Sequence, residues 1–316
     1  MMLDQRILKL LKETPGIISG ETLAKELGVS RVAIWKAIKR LKAKGYALSI
    51  HKKGYLLEER DFFLKEDLDN LISSSLLFRE AYLYNEVSST MDIARELAEQ
   101  EKRAIVIAER QTSGRGRLGR AWESEKGGLW LTLILHNPFP FKEAYLLTYL
   151  SATATAKALW EAYGLPAKVK WPNDVLVQEK KIAGILLEIK AEVDVINYAL
   201  IGLGVNINNP VEKKEFLLPA TSVAELLQKK VDKLPFLSQF LSIFEELYQN
   251  KGNILPEWKK LSLTLGRAVK IITSSETILG VAQDIDEEGA LIVQTPKGKI
   301  KRIFSGDCFH LRDLTP

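Results

Sequence analysis

The sequence predicts an α+β protein in three parts: an N-terminal winged helix-turn-helix, a central α/β body on a mixed sheet, and a small C-terminal β-barrel. Three observations carry that prediction. Residues 1–60 hold 13 Lys/Arg against 6 Asp/Glu, and their apolar residues recur at helical spacing. The middle of the chain alternates apolar runs of strand length with helical segments. After Leu265 come short strands punctuated by glycines. These features place domain boundaries at 1–62, 66–262 and 263–316, with the charged stretch 58–65 as linker.

Composition bounds the function. A chain of 316 residues is long enough for two or three domains with their own cores. Its 46% hydrophobic and 27% charged content is that of a soluble globular protein. No apolar run approaches the roughly 18 residues of a membrane span, and the charged amphipathic start is not a signal peptide. The single cysteine, Cys308, excludes an intrachain disulfide, fits a reducing cytosol and reads as an inert buried thiol. Three histidines and that cysteine, without clustered spacing, argue against a transition-metal centre. The expected location is cytoplasmic. The net charge of +5 is uneven, because the remainder beyond residue 60 carries 32 basic and 34 acidic residues. A basic head on a near-neutral body suggests that the head meets a polyanion.

In the head, residues 3–13 put Leu3, Ile7, Leu8, Leu10 and Leu11 mostly on one helical face, and Thr14-Pro15-Gly16 ends that helix. Residues 21–27 form a second helix, Gly28-Val29-Ser30 a tight turn, and Ser30 caps a third helix over 31–42. Leu23, Ala24, Leu27, Val29, Ile34, Ile38 and Leu41 are spaced as the inner faces of a helix-turn-helix. Arg31, Trp35, Lys36, Lys39 and Arg40 then point outward, where they reach phosphates and base edges of a major groove. Strands at 46–50 and 55–57 flank a hairpin tip, His51-Lys52-Lys53-Gly54, which adds Lys52 and Lys53 to the basic face. The competing reading is a protein-contact domain with a solvated basic face; charge and spacing together favour DNA.

In the body, a helix is expected over 67–77, a strand over 82–87, and a helix from Met91 to about Gln100 capped by Ser88-Ser89-Thr90. Those hydroxyls are either ordinary caps or a polar anchor beside free N–H groups. Strands follow at 104–108 and 129–135, a long helix at 143–163, and strands at 168–171, 175–177, 182–189 and 195–205. Gly202 and Gly204 near a strand end mark bulges or close approach. A polar loop opens at Asn206, Asn208, Asn209 and Pro210 and runs to about Thr221; helices cover 222–228, 237–249 and 255–260. Strands at 268–273, 276–285, 290–295 and 299–304, with Gly280, Gly289, Gly298 and Gly306 as turns, complete the chain.

Between the strands at 104–108 and 129–135 lies Q-T-S-G-R-G-R-L-G-R-A-W, residues 111–122. Arg115, Arg117 and Arg120 alternate with Gly114, Gly116 and Gly119. Glycine allows close backbone approach, and arginine offers a planar charged fork for phosphate or carboxylate. The segment reads as a loop that closes over an anionic ligand, or as an arginine-glycine surface loop that touches nucleic acid.

Further pieces accompany this loop: S-S-T at 88–90, K-W-P-N-D at 170–174, K-I-A-G-I-L at 181–186 and G-V-N-I-N at 204–208. Each alone is a cap, a proline turn, a solvated lysine or a bulge. In this order the chain resembles the biotin protein ligases, and more closely the bacterial proteins that are both biotin ligase and biotin operon repressor. The resemblance spans essentially the whole chain. It implies a class II synthetase-like catalytic domain and an SH3-like C-terminal barrel. It also implies a two-step reaction in which biotin and ATP give biotinyl-5′-adenylate, whose biotinyl group passes to a lysine of a carrier domain such as that of acetyl-CoA carboxylase.

The resemblance also assigns roles. Lys181, Arg115 and Arg117 are the expected catalytic cations, stabilising charge on carboxylate and α-phosphate. Ser89, Thr90, Met91, Gln111, Gly114, Arg115, Gly116, Arg117, Lys181, Gly184 and Gly204 are expected around biotin. Arg117, Arg120, Trp122, Lys170, Asn173, Lys181, Asn206 and Asn208 are expected around ATP and the adenylate. Mg²⁺ is expected on the triphosphate, held mostly by phosphate oxygens and water, and the loop from Asn209 to Thr221 over adenine. Two departures stand out: Met91 and then Asp92 follow Ser-Thr where asparagine is expected, and Leu118 stands where relatives often carry a basic residue. The expected partners are the carrier domain, operator DNA and a second copy of the chain in a dimer promoted by the adenylate, with no membrane. The alternatives are a lipoate or octanoate ligase, a ligase whose head no longer binds DNA, and a repressor whose ligand domain is only a sensor.

Overall fold

The computed structural model describes residues 3–14, 16–43, 46, 48–57, 63–136, 138–192, 195–211 and 219–311. The chain divides into two compact units, Met1–Leu64 and Lys65–Pro316. Most of the expected linker and the middle of the loop expected over adenine lie outside the described residues.

The first unit runs α1 (Leu3–Glu13), α2 (Gly20–Leu27), α3 (Arg31–Ala43), β1 (Leu48–His51) and β2 (Gly54–Leu57). Local chemistry sets the helix ends. Ser19 Oγ accepts the Thr22 N–H at 2.9 Å to start α2, and Ser30 Oγ accepts the Ala33 N–H at 3.1 Å to start α3. Gly28 closes α2 in the left-handed region, φ 67°. The three helices meet through Ile7, Leu11, Leu23, Leu27, Ile34, Ile38 and Leu41. The antiparallel wing pairs His51 with Gly54 around a Lys52-Lys53 turn. Gly54 is obligatory there: its φ is 147° and a Cβ would stand 2.1 Å from the Ile18 carbonyl oxygen. That close approach lets Ile18 and Tyr55 exchange both backbone hydrogen bonds, 2.9 and 2.8 Å, stitching the wing to the segment before α2.

The second unit holds α4 (Lys65–Ile72), β3 (Glu80–Tyr84), α5 (Thr90–Glu99), β4 (Ala104–Ala108), β5 (Leu129–His136), α6 (Leu146–Tyr163), β6 (Lys168–Lys170), β7 (Asp174–Val177), β8 (Lys180–Glu192) and β9 (Val195–Val205). After these come α7 (Val223–Leu227), α8 (Leu234–Gln249) and α9 (Ile254–Leu261). β3 to β9 form one seven-stranded sheet in the order β3-β4-β5-β9-β8-β7-β6. The β3–β4 pair is parallel and the others are antiparallel, so the sheet is mixed as expected. β4 and β5 are apolar at nearly every position because both faces of the sheet's centre are buried. On one face, Met91, Ala94 and Ala98 of α5 pack on Val106, Ile134 and Leu200. α6 is buried around most of its circumference and packs against α8 and α9.

β10 (Ala268–Ile272), β11 (Thr277–Ile285), β12 (Leu291–Gln294), β13 (Ile300–Ile303) and β14 (Asp307–His310) form the C-terminal antiparallel sheet, in the order β13-β12-β11-β10-β14. Several elements differ from the sequence expectation. α4 stops at Ile72 rather than reaching residue 77, because Ser75 Oγ accepts the N–H groups of Leu77 and Phe78 in a tight turn. β3 ends at Tyr84, and β1 begins at Leu48. The β7–β8 hairpin turns at Gln178-Glu179, both at positive φ (50° and 62°). Gly280 lies inside β11 rather than in a turn, since a Cβ there would meet the Gln294 carbonyl oxygen at 2.4 Å. β14 was not foreseen.

Candidate functional site

A cavity of about 260 Å³ opens over β8 and β9 in the second unit. Its walls come from the start of α5, the arginine-glycine loop, the β6–β7 connection, β8, the segment after β9, and β14.

The polar wall begins where β3 gives way to α5. Ser89 is extended (φ −156°) and N-caps α5, its Oγ accepting the Met91 N–H at 3.3 Å. Thr90 is buried, and both its N–H and its hydroxyl donate to Gln111 Oε1, at 2.8 and 3.0 Å. Ser89, Thr90 and Gln111 all line the cavity. Met91 lines it too, but its thioether packs over Gly202, where a Cβ would lie 2.9 Å from Sδ. The side-chain amide that an asparagine would supply at this point is replaced by apolar surface.

The loop after β4 is held in place by its own arginines. Gly116 N–H donates to the Arg120 carbonyl at 2.7 Å, and Trp122 N–H to the Gly114 carbonyl at 2.8 Å. Gly114 is required by crowding: a Cβ would stand 2.4 Å from the Trp122 carbonyl oxygen. Arg115 grips Asp92 in α5 with two hydrogen bonds, 3.1 and 2.6 Å, which holds the Asp92 carboxyl below the usual carboxylate range. Arg120 makes a two-pronged pair with Asp307 of β14. Arg117 differs from its neighbours. It turns inward, donating to Asn173 Oδ1 at 3.3 Å and the Gly306 carbonyl at 3.5 Å, and it pairs with no carboxylate among the described residues. Burial lowers its pKa, which marks a desolvated cation that a ligand anion would stabilise. Leu118, at φ 56°, points its side chain into solvent.

Two lysines complete the charge. Lys170 ends β6 and is 4% exposed. Its ammonium has no direct side-chain partner among the described residues, and burial pulls its pKa below that of a free lysine. A cis Trp171–Pro172 peptide and Asn173 then turn the chain back into β7. Asn173 is fixed by donating Nδ2–H to the Ile185 carbonyl at 2.7 Å. Lys181, second residue of β8, sets Nζ 2.6 Å from Asp174 Oδ1 and 5.0 Å from the centre of the Trp122 ring. Trp122 lies flat on glycines: a Cβ at Gly184 would be 2.9 Å from its ring, and one at Gly204 would be 2.5 Å from Nε1. Those are the positions where only glycine admits the indole.

The structure thus gathers Ser89, Thr90, Met91, Gln111, Arg115, Gly116, Arg117, Arg120, Trp122, Lys170, Asn173, Lys181, Gly184 and Asn206 around one cavity. Gly114, Gly204 and Asn208 are not on its wall. Gly204 lies beneath Trp122, and Asn208 clamps the Val231 backbone, donating to its carbonyl at 2.8 Å and accepting its N–H at 2.9 Å. Asn206 reaches the wall with its amide engaged by Thr221 and Asn209. Sequence reasoning missed Asp174 as the partner of Lys181, although it stands inside the quoted K-W-P-N-D. It also missed Asp307, Cys308 and Phe309, which line the cavity from β14. Nothing in the sequence links Arg120 to Asp307, 187 residues away. Cys308 is buried, and burial pushes its thiol up to about 12, as an inert thiol requires. No group of three or more potential metal ligands occurs among the described residues, and no described helix is long and apolar enough to cross a membrane.

In the first unit, Arg31, Trp35, Lys36, Lys39, Arg40, Lys52 and Lys53 are all exposed. Lys39 Nζ stacks 4.0 Å from the Trp35 ring centre. Arg40 is the exception to a free basic face, because it is tied to Asp4 of α1 at 2.5 and 3.2 Å.

Comparison with known proteins agrees with this geometry. Residues 83–206 match the biotin/lipoate A/B protein ligase family, 264–311 the biotin protein ligase C-terminal domain, and 4–56 an HTH domain. The chain is 35% identical over 305 residues to the bifunctional ligase/repressor BirA of Bacillus subtilis, covering 92% of this chain and 93% of that protein. It is 30% identical to the BirA of Escherichia coli, covering 92% and 91%. Among solved structures, the biotin protein ligase of Aquifex aeolicus in complex with biotin and ATP is 30% identical, with a TM-score of 0.65 over 75% of this chain and all of that one. A chain with a DNA-binding type of head, this cavity and relatives aligned along nearly its full length belongs to the biotin protein ligase family, in its group of bifunctional ligase/repressors.

Proposed function

We propose that the protein is an ATP-dependent biotin protein ligase that also represses transcription of biotin genes in response to its own adenylate. The observation that carries the enzymatic half is one cavity combining a hydroxyl-amide wall (Ser89, Thr90, Gln111) with three cations, Lys181, Lys170 and Arg117. A cyclic urea needs donors and acceptors, and a carboxylate meeting a triphosphate needs positive charge.

In the first step a biotin carboxylate oxygen attacks the α-phosphorus of ATP and pyrophosphate leaves. Lys181, drawn from Asp174 to the incoming anions, bridges carboxylate and α-phosphate. Arg117 and Lys170 neutralise charge that builds on the phosphates, and their present desolvation makes that exchange favourable. Arg115 and Arg120 order the loop through Asp92 and Asp307, and Trp122 walls the nucleotide. Mg²⁺, if bound with the nucleotide, would be held mostly by phosphate oxygens and water and would neutralise the phosphate charge beside Lys170 and Arg117. In the second step the amine of a carrier-domain lysine attacks the acyl carbon, AMP leaves, and an amide forms. On a division at 62/66 and 262/263, itself part of this proposal, these steps belong to the central part, with β14 contributing to the wall.

The repressor half follows from linkage. Adenylate that orders loops and thereby favours a dimer presents two winged helices to a two-fold operator, and carrier domain competes with dimerisation. Incubation with biotin, MgATP and a carboxylase carrier domain tests the enzymatic half. A mass gain of one biotinyl group on the carrier is expected; lipoyl transfer in place of biotinyl transfer would refute it.

A further inference from the structure

We infer that Thr132 and Ser124, neither of which lines the cavity, are positioning residues that hold the Thr90 hydroxyl and the Gln111 amide in the orientation set by the Thr90 backbone N–H, and so make the cavity selective for a cyclic urea. The inference rests on the ligase reading above.

The observation is a hydrogen-bond chain through buried groups. Thr132, Thr90 and Ser124 are 0%, 3% and 3% exposed. The Thr90 backbone N–H lies 2.8 Å from the Gln111 side chain. A backbone N–H only donates, so the Gln111 atom facing it must be oxygen. The Thr90 hydroxyl spends its proton on the same Oε1, at 3.0 Å. It therefore receives the proton of Thr132 Oγ1, at 2.8 Å. On the other side, Gln111 Nε2 donates to Ser124 Oγ at 2.8 Å, and Ser124 passes its own proton to the Trp122 carbonyl at 3.1 Å. Every proton along the chain has one direction. Gly114 makes the passage possible, since a Cβ there would stand 2.5 Å from Ser124 Oγ and 3.1 Å from Gln111 Nε2.

The consequence is a fixed pattern on the cavity wall. One Nε2–H of Gln111 and the Ser89 hydroxyl proton are left to donate, while lone pairs on Thr90 and Ser89 are left to accept. A cyclic urea offers the complement, one carbonyl acceptor flanked by two N–H donors. With the Gln111 amide reversed, its oxygen would meet the urea carbonyl and be repelled. The Thr90 N–H sets the direction of the amide; Ser124 reinforces it by accepting from Nε2 while its own proton is spent on the Trp122 carbonyl, and Thr132 holds the Thr90 hydroxyl within reach of Oε1.

The test is pyrophosphate exchange into ATP, with biotin and with 2-iminobiotin, whose cyclic guanidinium donates where the urea carbonyl accepts. Thr132→Val removes one hydroxyl isosterically, Ser124→Ala removes the other, and Thr132→Ser restores the first. Both deletions are expected to raise KM for biotin about tenfold and leave KM for ATP unchanged. They are also expected to shrink the preference for biotin over 2-iminobiotin by a similar factor, with Thr132→Ser returning both values to those of wild type. An unchanged biotin KM, or an equal rise for both acids as general loosening would give, overturns the inference. Thermal unfolding identifies any deletion that fails to fold, and the remaining deletion then decides by the same two outcomes. Wild-type protein without biotin-dependent exchange would overturn the ligase reading itself, a result separate from any change in preference.

Discussion

Lys181 Nζ is 2.6 Å from Asp174 Oδ1, so the cation best placed to meet a ligand carboxylate is already held by a protein carboxylate. The two side chains are 25% and 13% exposed, so the pair is largely withdrawn from water, and the cost of desolvating both charges offsets much of their attraction. Its value is orientation: Asp174 aims Lys181 along the face of Trp122. Lys181→Gln is therefore expected to slow biotin adenylation by about 10²- to 10³-fold while shifting the thermal midpoint little. Pyrophosphate exchange and calorimetry measure the two. A large loss of stability with adenylation intact would assign the lysine a structural role instead.

Gly204 carries the second prediction. A methyl group there would stand 2.5 Å from Trp122 Nε1 and 2.6 Å from Cε2, and a rigid ring has no cheap way to move aside. Gly204→Ala should lift the indole off β9 into the cavity. KM for ATP is expected to rise at least about tenfold, with a red shift of tryptophan emission as the ring leaves its packed site. Equal KM values for ATP in the two proteins would mean that Trp122 does not wall the nucleotide.

On the winged helix, the exposed lysines and the tethered arginine should behave differently. Lys36, Lys52 and Lys53 form no ion pair among the described residues, whereas Arg40 is bound to Asp4. Each of Lys36→Ala, Lys52→Ala and Lys53→Ala is expected to weaken DNA binding and reduce the salt slope by about one. Arg40→Ala should change that slope less and lower the stability of the first unit instead. Fluorescence anisotropy across a salt series distinguishes the two, and equal slopes for all four variants would contradict the assignment.

His310 provides a pH signature. Burial lowers its pKa from 6.5 to about 4, and its Nε2 lies 3.1 Å from Thr264 Oγ1, which accepts the Trp171 N–H at 3.0 Å. The unfolded chain protonates first, so stability is full above about 6.5 and is lost as pH falls toward about 4. Thermal midpoints should fall across that window in wild type and fall less in His310→Gln. Parallel declines for the two proteins would show that other groups set the acid limit.

Much of this was legible in the chain because its signals are local. Ser30 and Ser89 mark helix starts by their own hydrogen bonding. The all-apolar runs of β4 and β5 announce strands buried on both faces. What was illegible depends on distance. Arg120 finds Asp307 only because the sheet brings β14 beside the loop, and the roles of Gly184 and Gly204 follow from the position of Trp122. Asn208 looked like a ligand residue from its motif, yet both ends of its amide are spent on Val231. α4 was read too long because Leu76 and Leu77 extend the apolar pattern past a serine turn that ends the helix.

The most direct test of the central claim is pyrophosphate exchange into ATP with biotin, lipoate and octanoate in parallel. Exchange that requires biotin, and that neither of the other acids supports, is the result predicted by a cavity with a urea-binding wall beside three cations. Exchange driven by lipoate or octanoate, or exchange with none of the three, would contradict it.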